Sequence, residues 1–390
     1  ITGASTTSYG DSYGTIINNG TITKSSSGQT DFTYVQTMSN TTTGTINCNN
    51  GNLRVGGAGT TTFNNAGALV FNGGAFTING GMTFNYNAGS TVSGTGTFNN
   101  NGTLNLNASV VFPSTMNVTN TQVINGSGDL TINSDFIIRN QINGPGLLII
   151  NANSTWMDGN LNRLFTVEAS RTMTLNTAST KNLMQNLTNN GTIDWQDGLI
   201  NTFGSPVVTN TGNWNITGNN QIAFGNSNWS LINSGSITKT SGGTSDLSYV
   251  SSITNSGTIN GNGGTLAVGS TGTSTLTNTG TISLANGAFT GGSPMTFNHN
   301  AGAIIKGTGT FTHNGTFNNN NGIIAPGASP GILTLNGAQP FSATSTLNIE
   351  VQDNSGPGTG HDQVLRNSNL TLAGTINVTE TGTVNPGTFT

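Results

Sequence analysis

The sequence repeats itself at long range, and that repeat restricts the fold more than any other feature. Asn18-Asn19-Gly20-Thr21-Ile22-Thr23-Lys24 returns, beyond the middle of the chain, as Asn233-Ser234-Gly235-Ser236-Ile237-Thr238-Lys239. The same displacement carries Asp31-Phe32-Thr33-Tyr34-Val35 onto Asp246-Leu247-Ser248-Tyr249-Val250. Two residues are lost near Asn40, and the shortened offset then relates Met82-Thr83-Phe84-Asn85 to Met295-Thr296-Phe297-Asn298. The copies run over residues 1–112 and 216–325, with an unrelated stretch, 113–215, between them. Duplication with so little change in length implies a fold built from interchangeable units.

A shorter theme runs inside each copy: a small polar residue, then Gly-Thr and an apolar residue. Gly20-Thr21-Ile22, Gly44-Thr45-Ile46, Gly257-Thr258-Ile259 and Gly280-Thr281-Ile282 are instances, and their spacing is the length of one coil in a repeat fold. Around them apolar and polar residues alternate, as in Thr103-Leu104-Asn105-Leu106, which marks strands with one buried and one wet face. Asn-Gly, Gly-Gly and Asn-Asn pairs supply the turns. No segment carries a capped apolar stripe of helical period, so almost no helix is expected. Together these features predict an all-β fold, a parallel β-solenoid forming a right-handed β-helix over residues 1–336. About 17 coils would stack at the strand spacing of about 4.8 Å. Ile, Leu, Val and Phe then fill the interior, and Asn and Thr form hydrogen-bonded ladders at turns and on outer faces. Beyond residue 336 the rhythm fades and Glu350, Asp353 and Asp362 appear, which reads as a C-terminal β-rich cap or docking module over 337–390.

Composition agrees and excludes other classes. The 57 Gly, with Asn and Thr, make up nearly half the chain, while charged residues reach only 6%. A formal charge of −4 is too weak to steer the chain onto nucleic acid or anionic lipid. No apolar run approaches the ~20 residues that cross a bilayer. Cys48 is the one cysteine, which leaves no internal disulfide and suggests a small buried residue. The chain opens at Ile1 with neither initiator Met nor leader, as a processed product or a fragment would.

The run Ile323-Ile324-Ala325-Pro326-Gly327-Ala328-Ser329-Pro330-Gly331-Ile332-Leu333-Thr334-Leu335 resembles an element of secreted bacterial β-helix proteins. These are autotransporter passengers and related haemagglutinin-like adhesins. The stretches Ser345-Thr346-Leu347-Asn348-Ile349-Glu350-Val351 and Leu370-Thr371-Leu372-Ala373-Gly374-Thr375-Ile376-Asn377-Val378 look like the same family's closing region. The resemblance implies export to the bacterial surface or beyond, and an adhesive or fibre-forming role. Pro386-Gly387-Thr388-Phe389-Thr390 stops where the pattern would continue with one more strand.

Catalysis by such a fold needs clustered ionisable groups. Asp194-Trp195-Gln196-Asp197-Gly198 is the best candidate, two acids beside a Trp able to stack on a sugar. Its Trp-x-Asp-Gly core also occurs as Trp156-Met157-Asp158-Gly159, which favours a recurring turn with a stacked Trp. His299, His313 and His361 have no metal-ligand spacing, and His299 stands where the other copy has Tyr86. The expectation is therefore no enzyme, no cofactor and no metal. The charged residues kept in both copies are more informative. Lys24, Asp31 and Tyr34 match Lys239, Asp246 and Tyr249. They read either as a local Lys–Asp pair pinning a Ser/Gly-rich loop, or as loops presenting these groups to a glycan or cell-surface protein. The expected role is an adhesin stalk or a fibre subunit that self-associates head to tail. The alternative is a polysaccharide-binding or polysaccharide-processing β-helix.

Overall fold

The computed structural model describes residues 5–6, 14–57, 61–271, 274–327, 329–337, 341–366 and 369–382. They form strands, turns and bends without a helix, stacked in parallel as a β-solenoid of about 15 turns. The last described coil is a long one: Thr346 pairs with Thr375, with a loop around Pro357 and His361 between them. Ile1-Thr2-Gly3 and Pro386-Gly387-Thr388-Phe389-Thr390 lie outside the described residues.

The chain forms two compact units, Ile1–Thr174 with Lys181–Gln185, and Leu175–Thr180 with Asn186–Thr390. In the first, a coil supplies three strands, or two where neighbours fuse as in Ala68–Ile78, each stacking on its counterpart one coil later. Gly14–Asn18 pairs with Val35–Asn40, Thr21–Lys24 with Thr45–Cys48, and Gln29–Phe32 with Asn52–Val55. The register is in phase, Ile22 on Ile46 and Leu53 on Phe76, so like residues pile on like and the interior becomes a set of lengthwise stacks. Phe63 and Phe84 meet edge to face at 4.8 Å, and Phe98 and Phe112 pack at 5.1 Å with rings tilted by 47°. Coils shorten along this unit: Ile22 meets its successor only at Ile46, whereas Leu130 already meets its own at Leu148.

The second unit uses the same plan. Trp214, Ile237, Ile259, Ile282, Ile305 and Ile324 succeed one another in register, and all are buried. Phe289 and Phe311 stack at 5.5 Å with rings 3° from parallel.

The duplicated residues occupy equivalent positions within their own units. Phe84 and Phe297 both face the core. Ile237 is buried between Trp214 and Ile259, whereas Ile22 is half-buried. Even irregularities are copied. Tyr34 and Tyr249 both have positive φ, 58° and 54°, and a register shift precedes the matching strands at Gly14/Thr15 and at Trp229/Ser230. The equivalence ends earlier than the sequence suggests. Val110 and Phe112 are buried and Val111 exposed, but their sequence matches reverse that pattern, with Ile324 buried between half-buried Ile323 and Ala325. A period-two element shifted by one residue presents its other face, so the structural copies close at Leu106 and Asn319.

The expected Asn ladders exist, but the principal one is inside. In the second unit Asn189, Asn210, Asn233, Asn255 and Asn278 are all buried. Each donates its side-chain amide to the next Oδ1 at 2.6–2.7 Å. The first unit has Asn18, Asn40 and Asn65 in the same relation at 2.7 and 2.8 Å. The recurring Asn-x-Gly explains this. The Asn turns into the corner of the coil, and the Gly lets neighbouring coils touch. A Cβ at Gly235 would lie 2.1 Å from the Gly212 carbonyl oxygen, and one at Gly257 2.1 Å from that of Gly235, far inside contact distance.

The parallel stack continues past residue 337. Thr346–Val351 continues the stack on Ile323–Pro326, Gln363–Leu365 stacks on Ile332–Gly337, and Thr375–Glu380 stacks on Thr346–Val351. What changes is burial. Every residue of Thr375–Glu380 is exposed, Ile376 and Val378 included. Asp362 organises this region, its carboxylate accepting from the Gly331 and Glu350 amides at 2.7 and 2.9 Å.

Candidate functional site

The charged residues shared by the two copies do not form the expected pairs. Lys24 and Lys239 point inward and are fully buried. Lys24 Nζ donates to the Ser26 carbonyl at 2.5 Å and to Ser26 Oγ. Lys239 Nζ donates to the Ser241 and Gly218 carbonyls at 2.8 and 3.1 Å, and to Ser241 Oγ. Burial lowers the Lys239 pKa. These ammonium groups satisfy corner carbonyls that the fold would otherwise bury unpaired, so neither lysine is presented to a partner. Asp31 instead forms a two-pronged ion pair with Arg54, 2.8 and 2.9 Å, and Asp246 accepts from Ser270 Oγ at 2.8 and 3.0 Å. Tyr34 and Tyr249 are half-buried, the latter packed on Phe224 with centroids 5.1 Å apart. Cys48, stacked on Lys24, is buried as expected, and desolvation pushes its thiol up to about 12.

The Trp-x-Asp-Gly pair is a turn, as its recurrence suggested. Trp156 and Trp195 are buried, their indole N–H groups donating to the Asp158 and Gly198 carbonyls at 3.1 Å. Gly159 and Gly198 follow at φ 87° and 89°, values glycine adopts without strain. Neither indole face is open to a sugar. His299 is a member of the Asn ladder. Asn278 approaches its Nδ1 at 3.2 Å while Nε2 meets the Ile323 carbonyl at 3.1 Å, so the ring is neutral with its proton on Nε2. Burial lowers its pKa to about 4.

A groove lies elsewhere, on the part of the first unit that is not duplicated. It has a volume of about 670 Å³ and crosses the strands Met116–Asn120, Phe136–Ile138, Ser154–Trp156 and Thr172–Leu175. It exists because the ladder opens there. Five residue pairs join Met116–Asn120 to the preceding strand, but one, Val118 with Phe136, joins it to the next. Side chains take over: Asn140 Nδ2 donates to the Thr121 carbonyl at 2.8 Å, and Asn120 Nδ2 reaches the Arg139 carbonyl at 3.4 Å. Two hollows of about 400 and 640 Å³ continue it past Asn133, Asn151 and Arg171, where Asn151 donates to Asn133 Oδ1 at 2.8 Å.

The groove gathers charge in a chain that otherwise avoids it. Asp129, Asp135, Arg139, Asp158, Arg163, Glu168 and Arg171 follow one another closely in this stretch. Arg163 belongs to the interior, its guanidinium caged by the Gly126 and Gly128 carbonyls at 2.7 Å. Arg139 lies across the Met157 sulfur, Nη2 at 2.7 Å. The Asp135, Glu168 and Arg171 side chains make no hydrogen bond or ion pair among the described residues and remain available to a ligand. Sequence reasoning missed this surface because it followed the duplicated residues; the signal was the concentration of charge in the stretch that is not duplicated.

No family model, curated protein or solved structure matches the chain.

Proposed function

We propose that the chain is a non-enzymatic, extracellular β-solenoid of a bacterial surface, acting as an adhesin stalk or fibre subunit. What supports this reading is how the solenoid treats polar groups. Cations turn inward onto backbone carbonyls, as at Lys24, Lys239 and Arg163, and amides bond to one another down the core. Away from the groove the outer faces are mostly uncharged Thr, Ser and Asn. Such a body is stiff and nearly uncharged, and its paired backbone offers a protease little to bind, all of which suits a stalk. The resemblance of residues 323–335 to secreted β-helix adhesins points the same way.

Head-to-tail association rests on one observation. Thr375–Glu380 pairs with Thr346–Val351 on one side and is exposed along its whole length. Among the described residues no strand covers its other edge, and a strand with exposed Ile376 and Val378 is a template for another strand. Electron microscopy of the purified chain, intact and with residues 369–390 deleted, tests this reading. Fibres in the intact chain and none in the truncated one are expected. Fibres that survive truncation, or an intact chain that stays monomeric at high concentration, would remove self-association.

A further inference from the structure

We infer that the groove across residues 113–174 is a binding site for a neutral oligosaccharide chain. The inference deepens the adhesive half of the function proposed above and rests on it. Its first support is shape: the groove has the size of a ligand site, and the two adjoining hollows extend it lengthwise, as a linear chain requires. A repeating ligand laid across stacked strands meets a repeating surface, one coil about every 4.8 Å.

The second support is chemistry. Asn117, Thr119, Asn153 and Thr155 line the groove with amides and hydroxyls, which both donate and accept. Asp135 adds acceptors and Arg139 adds donors, the complement of neighbouring sugar hydroxyls. Ile137, 44% exposed in their midst, offers an aliphatic surface to the C–H face of a ring. Beneath these, Ser134 and Ser154 carry buried hydroxyls without a partner.

The third support is charge balance. The carboxylates of Asp135 and Glu168 are matched by the guanidiniums of Arg139 and Arg171, so the groove as a whole is neutral. A sulfated or uronic-acid polymer would meet as much repulsion as attraction, and a neutral one avoids the conflict.

Calorimetric titration of the full chain with cello-, laminari-, manno- and chitohexaose tests the inference, with a heparin hexasaccharide as the charged comparison. At least one neutral hexaose should bind. Asp135→Ala, which removes a charged acceptor, and Thr119→Arg, which fills the groove from an outward position, should each weaken it about tenfold or more. Ser234→Arg adds the same charge on an exposed turn of the other unit and should leave binding unchanged. Thermal melts that match the parent show that the variants fold; a variant that melts early is replaced by Thr155→Arg, read the same way. The inference is overturned if no neutral hexaose binds, if the groove variants bind as the parent does, or if heparin is preferred. Attachment of chain-coated beads to cells separates the two levels. Attachment that persists in Thr119→Arg sinks the groove and leaves adhesion standing, and failure of the parent to attach sinks both.

Discussion

Asn210 donates its side-chain amide to Asn233 Oδ1 at 2.7 Å, and both side chains are fully buried. Asn233 in turn donates to Asn255 at 2.6 Å, so Asn210, Asn233 and Asn255 are each donor to one neighbour and acceptor from the other. Removing one member leaves one acceptor unpaired and weakens one donor. Asn233→Ala takes from the Asn210 amide its closest acceptor, leaving it the Ser236 and Gly212 carbonyls at 3.1 and 3.3 Å, and leaves Asn255 Oδ1 without its donor, a loss of about 1–3 kcal/mol. Asn190→Ala, one residue along the same motif but exposed, should cost under about 1 kcal/mol. Chemical denaturation of the two variants checks the contrast. Equal midpoints would mean that the ladder contributes nothing.

The ladder carries a pH signature where His299 replaces an Asn. Its pKa is lowered by burial from 6.5 to about 4. Above 6.5 the ring is neutral in both folded and unfolded chains and nothing is lost. Between 6.5 and about 4 the unfolded chain takes up a proton that the folded one refuses, and stability falls with pH by up to about 3 kcal/mol. His313, also lowered by burial, acts in the same direction. His299→Asn restores the amide series and should flatten the decline relative to the parent. Melting temperatures from pH 7.5 to about 4 would show it, and parallel curves for parent and variant would refute the assignment.

Glycine at the end of Asn-x-Gly is a packing requirement. Because a Cβ at Gly235 would overlap the Gly212 carbonyl oxygen, Gly235→Ala must push apart neighbouring coils that are held by the ladder on either side. The expected loss is about 2 kcal/mol or more, while Gly242→Ala, with open space around it, should be neutral within about 0.5 kcal/mol. Thermal unfolding distinguishes them.

How much of this the sequence discloses depends on what recurs from coil to coil. The stacks of Ile, Leu and Phe follow from period-two alternation that returns once per coil, because a parallel register places like on like. Lys24 and Lys239 were legible as a matched pair but not as buried ones. Hydrophobicity argues against turning an ammonium inward, and only the folded chain shows corner carbonyls waiting for it. That the Asn ladder at the turns is buried was not legible for the same reason, since a polar residue beside Gly reads as a wet turn. The groove's shape was not legible, although the concentration of charge around it was. It comes from a change in coil length that opens the ladder at Val118 and Phe136, and no local pattern records the loss of pairs between strands.

The buried lysines make the last prediction. Lys239 carries its charge in the interior without a carboxylate, held by the Gly218 and Ser241 carbonyls. The Gly218 carbonyl also receives Ser241 Oγ at 2.7 Å and Ser245 Oγ at 3.0 Å, so it keeps partners when the ammonium is removed. Lys239→Met keeps the stem and relieves the charge of its desolvation, and should fall within about 1 kcal/mol of the parent at pH 7. Lys239→Ala also empties the stem's volume and should cost about 2–4 kcal/mol. The pH dependence separates charge from packing. A lysine whose pKa is lowered by folding gives up its proton first in the folded chain. The parent therefore gains stability as pH rises toward 10.5, whereas the Met variant lacks that gain. Subtracting the two denaturation curves cancels every other titrating group. A difference that shifts toward the parent with rising pH is expected, and a flat difference would show that the Lys239 ammonium is not held against its solvation in the folded chain.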